Sequence, residues 1–239
     1  MQILGHNRGA ILTLAERLRD CNVRLRWGGD IVPDAVNGKA HLHDGLEQLK
    51  AFRDAGVPTV EFTTDPQVRD QWVAGRSIVL GRALHHTQGR DIVVPGISQK
   101  KNIAWNRRDF WTLYKGSYQE WRVHVVNDLS IARGLKTFTG RDENDKLVTP
   151  EVSRLIIRSR RLGWTMRHDV EPPKGLRDLA KQAVKAVGYD LGAVDILQVY
   201  KDKAPDGAYK FLVLEVNSRP AIRDEYTLTA YEKALRKLA

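Results

Sequence analysis

Residues 192–220, GAVDILQVYKDKAPDGAYKFLVLEVNSRP, read as two strands joined by a loop through Pro205-Asp206-Gly207. Asp195 and Glu215 each lie ten residues from Pro205. A loop centred there pairs 193–200 with 210–216 antiparallel and sets the two carboxylates opposite each other. Asn217, two residues past Glu215, shares their side. The aliphatic residues Val194, Ile196, Leu214 and Val216 flank these polar groups. Two carboxylates in an apolar sheet repel and resist ionisation unless a cation lies between them. Oxygen ligands from Asp, Glu and Asn suit Mg²⁺, which also takes phosphate oxygens and water. The alternative for the same residues is a solvent-facing hairpin side without a ligand.

Working outward, residues 120–126 (EWRVHVV) alternate as a strand that turns at Asn127-Asp128. The alternation puts Glu120, Arg122 and His124 on one face and Trp121, Val123 and Val125 on the other. That polar face is either part of a site or a solvated face with cross-strand ion pairs. Further upstream, 77–94 (SIVLGRALHHTQGRDIVV) reads as a strand ending near Arg82, a polar loop, and a strand resuming at Ile92. Backbone N–H groups of such a loop can cradle phosphates, with a cation at its base. Alone, it reads first as a polar hairpin turn.

Taken in order, the TQG loop after a strand, the E-x-R-V-H-V strand and the G-A-V-D-I…L-E-V-N-S-x-P hairpin resemble the ATP-grasp superfamily of carboxylate–amine ligases. The chain is most similar to the compact ATP-grasp proteins of bacteriophages and bacteria related to the glutamate ligases that modify a ribosomal protein. The likeness runs from about Trp27 to the C-terminus. It implies an α+β ATP-grasp fold, in which two α+β subdomains (41–109 and 110–239) grip the nucleotide after a short β-α-β unit (1–40). It implies ATP with Mg²⁺ or Mn²⁺, the metal held by Asp195, Glu215 and Asn217. Arg82 stands where the family usually has a phosphate-contacting lysine, and Gln88 and Gly89 fall in the loop that folds over the phosphates. Residues 110–114, with Trp111, Leu113 and Tyr114, match the hinge whose backbone usually receives adenine. Arg122 reaches phosphate or the acyl phosphate, and Arg158, in IIRSRRLGW, matches a further catalytic arginine. The family has another phosphate-contacting lysine ahead of the helix expected at 43–55; Gly45 stands there, with Lys39 and Lys50 as substitutes. The implied activity joins a carboxylate to an amine of an amino acid, peptide or protein tail, and the resemblance leaves room for an oligomer.

Composition agrees with a globular chain. Of 239 residues, 42% are hydrophobic and 28% charged, which excludes a disordered or collagen-like chain. The net charge of +10 points to an acidic partner: nucleotide, nucleic acid or acidic peptide. A single cysteine, Cys21, allows no intramolecular disulfide. No apolar run approaches the ~20 residues needed to cross a bilayer. The start, MQILGHNRGA, lacks a signal-peptide pattern, so a cytoplasmic protein is expected. A strand at 1–4, a helix at 10–21 and a strand at 23–27 make the opening β-α-β unit; further helices are expected at 176–187 and 225–238. Two other function classes compete. Arg154, Arg158, Arg160 and Arg161 with Trp164 form a basic run suited to a nucleic-acid-binding module, although no recognised nucleic-acid motif accompanies it. The third class is a nucleotide-binding ATP-grasp protein without ligase activity. His41/His43 and His85/His86 lack the spacing of a zinc site.

Overall fold

The first helical turn after residue 44 shows how local chemistry starts the fold. Asp44 accepts a hydrogen bond from Glu47 N at 2.6 Å and caps helix Gly45–Asp54 (α2 below); Gly56, at φ 68°, ends it in the left-handed region. A computed structural model describes residues 2–5, 10–27, 30, 32–39, 44–84, 92–94, 103–114, 116, 119–149, 156–200, 209–222 and 224–239.

Strands β1 (Gln2–Gly5) and β2 (Arg24–Trp27) pair in parallel across helix α1 (Ala10–Arg17), giving the expected β-α-β opening. Ile11, Leu14 and Leu18 recur at helical spacing and are buried. They pack with Leu25, Trp27 and the C-terminal helix α6 (Glu225–Arg236; Leu228, Tyr231 and Leu235), closing over Val126 and Leu191 at the end of the main sheet.

That sheet has five antiparallel strands: β6 (Gln119–Val126), β7 (Leu129–Phe138), β8 (Trp164–Arg167), β9 (Leu191–Tyr200) and β10 (Tyr209–Asn217), in the order β10-β9-β6-β7-β8. Trp121, Val123 and Val125 form its apolar face with Val194 and Ile196. They are covered by Leu176, Ala180 and Val184 of helix α5 (Leu176–Ala186) and by Leu49 and Phe52 of α2. Each such fully buried side chain stabilises the fold by about 1.5–3 kcal/mol.

A smaller antiparallel sheet, β3-β5-β4, is built from β3 (Phe62–Thr63), β4 (Ile78–Arg82) and β5 (Phe110–Tyr114). Helix α3 (Pro66–Ala74), capped by Asp65, and the short α4 (Ile103–Asn106) precede β4 and β5. Val93 adds a single antiparallel bridge to Gly81, so the chain does return beside β4 after the loop. Two elements cross the expected subdomain limits. Helix α2, from 41–109, buries its apolar stripe against the large sheet; β5, from 110–239, is the central strand of the small one. Among the described residues no helix is long and apolar enough to cross a membrane.

Candidate active site

The polar face of the large sheet and the edge of the small one enclose a cleft of about 980 Å³. Its floor carries Glu120 and Arg122 from β6, Lys136 from β7, Asp195 from β9, and Glu215 and Asn217 from β10; Arg82 and Tyr114 come from the small sheet. Strand register assembles this floor. Asp195 lies opposite Glu215 on one side and opposite Arg122 on the other. The outer hairpin pairs Val213 with Ile196, and the register then shifts before Glu215. This bulge at Leu214 brings the carboxylate, rather than the leucine, opposite Asp195; directly opposed residues share a face.

The charges form a bonded lattice. Arg122 donates from Nε and a terminal nitrogen to the two Asp195 oxygens, both at 2.7 Å. Lys136 Nζ donates to Asp195 Oδ2 at 3.2 Å and also to Glu120 Oε1. Arg158 Nε lies 3.9 Å from Glu120 Oε2. Burial opposes the Arg122 and Lys136 charges, but Asp195, with further carboxylates, outweighs it and raises both pKa values. Burial likewise works against ionised Asp195, yet Arg122 and then Lys136 hold its carboxyl well below the usual range. Glu120 goes the other way: burial dominates, Lys136 offsets only part of it, and the pKa stays above the ordinary value. Burial, with Arg122 next, holds His124 down at about 3, so its imidazole is neutral; Nδ1 lies 3.1 Å from the Tyr231 hydroxyl.

The donor set for a divalent cation can be tested on these contacts. Glu215 and Asn217 both face the cleft, and Asn217 Nδ2 donates to Glu215 Oε1 at 3.1 Å, leaving the Asn217 carbonyl oxygen and the second Glu215 oxygen outside that bond. Those are hard oxygen ligands of the type Mg²⁺ takes. The Asp195 oxygens, by contrast, are held by Arg122 and Lys136. Among the described residues there is no group of three His, Cys, Asp or Glu side chains that could hold a metal. The fit is therefore to Glu215 and Asn217, beside which the Asp195 oxygens are engaged by Arg122 and Lys136.

No family model matches the sequence, and no curated protein matches it. Solved structures do match the fold. The ATP-grasp ligase PsnB, complexed with minimal precursor, superposes with a TM-score of 0.56 at 16% identity, over 85% of this chain and 63% of PsnB. The macrocyclase MdnC from Microcystis aeruginosa MRC, bound with precursor peptide MdnA, gives 0.55 at 12% identity, over 94% and 69%. D-alanine–D-alanine ligase from Bacillus anthracis gives 0.55 at 13% identity, over 95% and 84%. The chain has the ATP-grasp fold. At these identities the likeness is one of fold, and the chain spans about two thirds of PsnB's length.

Within this ATP-grasp fold the residues singled out from sequence fall into three groups. Asp195, Glu215, Asn217, Arg122, Arg82, Tyr114 and Arg158 all line the cleft. Arg82 is buried, donates from Nε to Thr112 Oγ1 at 3.1 Å, and has its pKa lowered by burial against the pull of Glu215 and Glu120. Trp111 and Leu113 stand elsewhere: strand alternation turns their side chains to the far side of β5, into a cluster with Val79, Trp72 and Trp105. The Leu113 N–H donates to Glu61 O at 2.9 Å. Gln88 and Gly89 lie outside the described residues, as does Arg154.

Of the basic run, Arg158 turns inward, while Arg160 and Arg161 are exposed at the rim of the cleft. The Arg158 side chain is only 8% exposed, stacks 4.7 Å over the Trp164 ring, and lines the cleft with Arg160 and Arg161. Gly45 lines the cleft, whereas Lys39 and Lys50, its expected substitutes, do not. The buried lysine of the site is Lys136, which the sequence reading missed. The turn at Asn127-Asp128, both at positive φ, was the signal for a returning strand that would carry it.

Proposed function

We propose that this chain is an ATP- and Mg²⁺-dependent carboxylate–amine ligase working through an acyl phosphate. The observation that carries the reading is the cleft floor itself, where Glu215 and Asn217 face it from β10 beside the Arg122–Asp195 pair. In support, PsnB, alike in fold, is solved complexed with Mg and ADP.

Glu215 and Asn217 would hold the ion, Mg²⁺ or Mn²⁺, with Asp195 adjoining. When bound, the ion neutralises charge on the phosphate oxygens. The chain's own cations supply the rest. Arg82, on the small sheet, and Arg122, on the large one, flank the cleft and attract a polyphosphate from two sides. In the first step a substrate carboxylate oxygen bonds to the γ-phosphorus while the bond from that phosphorus to the β,γ-bridging oxygen breaks, releasing ADP. In the second, an amine nitrogen bonds to the acyl carbon, loses a proton, and phosphate leaves. Phosphoryl transfer asks the protein chiefly for positioning and charge neutralisation. Arg158, Arg160 and Arg161 line the cleft, with Ser159 Oγ buried and without a hydrogen-bond partner among the described residues. They suit a peptide or protein tail with acidic groups; PsnB and MdnC are both solved with precursor peptides.

Glu215→Ala tests the reading. ADP release is expected to fall by about 10²-fold or more with circular dichroism unchanged, while near-normal release from this variant refutes the metal assignment. The engagement of Asp195 by two cations favours a second reading, a nucleotide binder without turnover. ADP release on adding amino acid or peptide mixtures separates the two: stimulation supports the ligase, and Mg²⁺-dependent binding without release supports the binder.

A further inference from the structure

Strand β10 lies at the edge of the large sheet, so among the described residues no strand pairs with its outward backbone groups around Glu215 and Asn217. Residues from before the small sheet take the strand's place. Val213 N donates to Pro58 O at 2.8 Å, and Thr59 Oγ1 donates to Val213 O at 2.7 Å. Three residues on, the side chain of Gln48 does the same for Val216: its Oε1 accepts from Val216 N at 2.8 Å and its Nε2 donates to Val216 O at 3.1 Å. This two-point amide pairing imitates one rung of a β-ladder. Val216 sits between Glu215 and Asn217, just after the bulge where the ladder to β9 has slipped. A bulged strand bends and twists more than a regular one, so the orientation of that peptide sets where both polar side chains aim. Gln48 is buried and itself lines the cleft, as does Tyr189.

We infer that Gln48 is a positioning residue for the metal–nucleotide site, fixing the Glu215/Asn217 face of β10 by gripping the Val216 peptide. The inference rests on the ligase reading, which supplies the metal at that face. Thr59 grips the same edge before the bulge and so serves as the structural control.

The test measures ADP affinity by calorimetry with Mg²⁺ and with EDTA, together with amide hydrogen exchange at Val216, in wild type, Gln48→Leu and Thr59→Val. Wild type is expected to bind ADP more tightly with Mg²⁺. Gln48→Leu is expected to lose about 10- to 100-fold of that enhancement, the usual effect of removing a partner that orients a ligand, with affinity in EDTA retained. It should also speed exchange at Val216. Thr59→Val should lower thermal stability and keep the Mg²⁺ enhancement. Where Gln48→Leu does not fold, Gln48→Glu keeps the acceptor for Val216 N but sets a carboxylate oxygen against Val216 O, and is expected to lose the enhancement in part. An unchanged enhancement in a folded Gln48 variant, or equal losses in the Gln48 and Thr59 variants, overturns the inference. A wild type whose ADP affinity ignores Mg²⁺ overturns the metal reading instead.

Discussion

Replacing Lys136 with methionine removes one positive charge from the floor of the cleft at nearly constant side-chain length. The side chains of Lys136, Glu120 and Asp195 are 7%, 6% and 5% exposed, so none can turn to water. Asp195 keeps its bidentate pair with Arg122. Glu120 keeps Arg158, 3.9 Å away, with Arg82 and Arg122 acting at longer range. Stripping one partner from a buried pair costs roughly 3–5 kcal/mol. For a chain of this length that is a fall of roughly 6–20 °C in thermal midpoint. Glu120 can relieve part of the cost by taking up a proton. Its folded pKa already lies above the ordinary 4.5, through burial first, and loss of Lys136 pushes it higher.

The sign follows. A group whose folded pKa is raised gives stability that is complete below the unfolded pKa and lost as pH rises through the folded one. The Lys136→Met penalty should therefore be largest near about pH 8 and shrink toward about pH 5, at up to about 1.4 kcal/mol per pH unit. Urea denaturation of both proteins at the two pH values measures it. A penalty under about 1 kcal/mol, or one independent of pH, refutes the reasoning, since the buried-pair argument requires both size and slope.

Other expectations come from the same contacts. Asp195→Asn should destabilise by about 2–4 kcal/mol, because Arg122 loses its charged partner, whereas Glu215→Gln should cost under about 1 kcal/mol, measured by denaturant midpoints. Phe52→Ala, at a fully buried position between α2 and the large sheet, should cost about 3–5 kcal/mol in the same assay. His124 has its folded pKa depressed from 6.5 to about 3, so the stability it contributes is present above 6.5 and lost as pH falls toward 3. His124→Phe should flatten that acid limb in a pH series of thermal midpoints, and an acid limb of unchanged slope would contradict it.

Much of this was legible in the chain because its strands alternate cleanly. In β6 the pattern EWRVHVV separates the cleft face from the core face without error, and the loop at Pro205 gave the Asp195–Glu215 pairing. That pairing depended on a bulge the sequence does not announce. Away from the site the outer hairpin is offset by one residue, and the shift before Glu215 restores the expected register. Strand β7, LSIARGLKTF, went unread because Arg133, Gly134 and Lys136 break its alternation. Gly134 is there for space: a Cβ would come within 3.1 Å of the His168 ring and of Met166. Lys136 looks like a surface lysine in sequence; its partners are fixed only when β6, β7 and β9 lie side by side. Trp111, Leu113 and Tyr114 share the hinge backbone of the resemblance, and period-2 alternation sends the side chains of the first two to the face opposite Tyr114.

Topology also explains why the two opposed acids do different work. Asp195 lies on an interior strand, with β6 on one side and β10 on the other, so a cation on β6 can reach it directly, and Arg122 does. Glu215 lies on the edge strand and has a neighbour on one side only, which leaves it to the cleft and to whatever binds there. Counting the lining of the cleft, Arg82, Arg122, Lys136, Arg158, Arg160, Arg161 and Arg219 outnumber Glu120, Asp195, Glu215 and Asp224, a surplus of three positive charges. A triphosphate carries more negative charge than that surplus cancels, and Glu215 would repel it. Without a cation, the end of the cleft that carries Glu215 thus opposes the phosphates. A divalent ion on Glu215 and Asn217 reverses the sign where the phosphates must sit, so on the proposed reading metal and nucleotide bind together or weakly, and the edge-strand acid is the group through which each depends on the other.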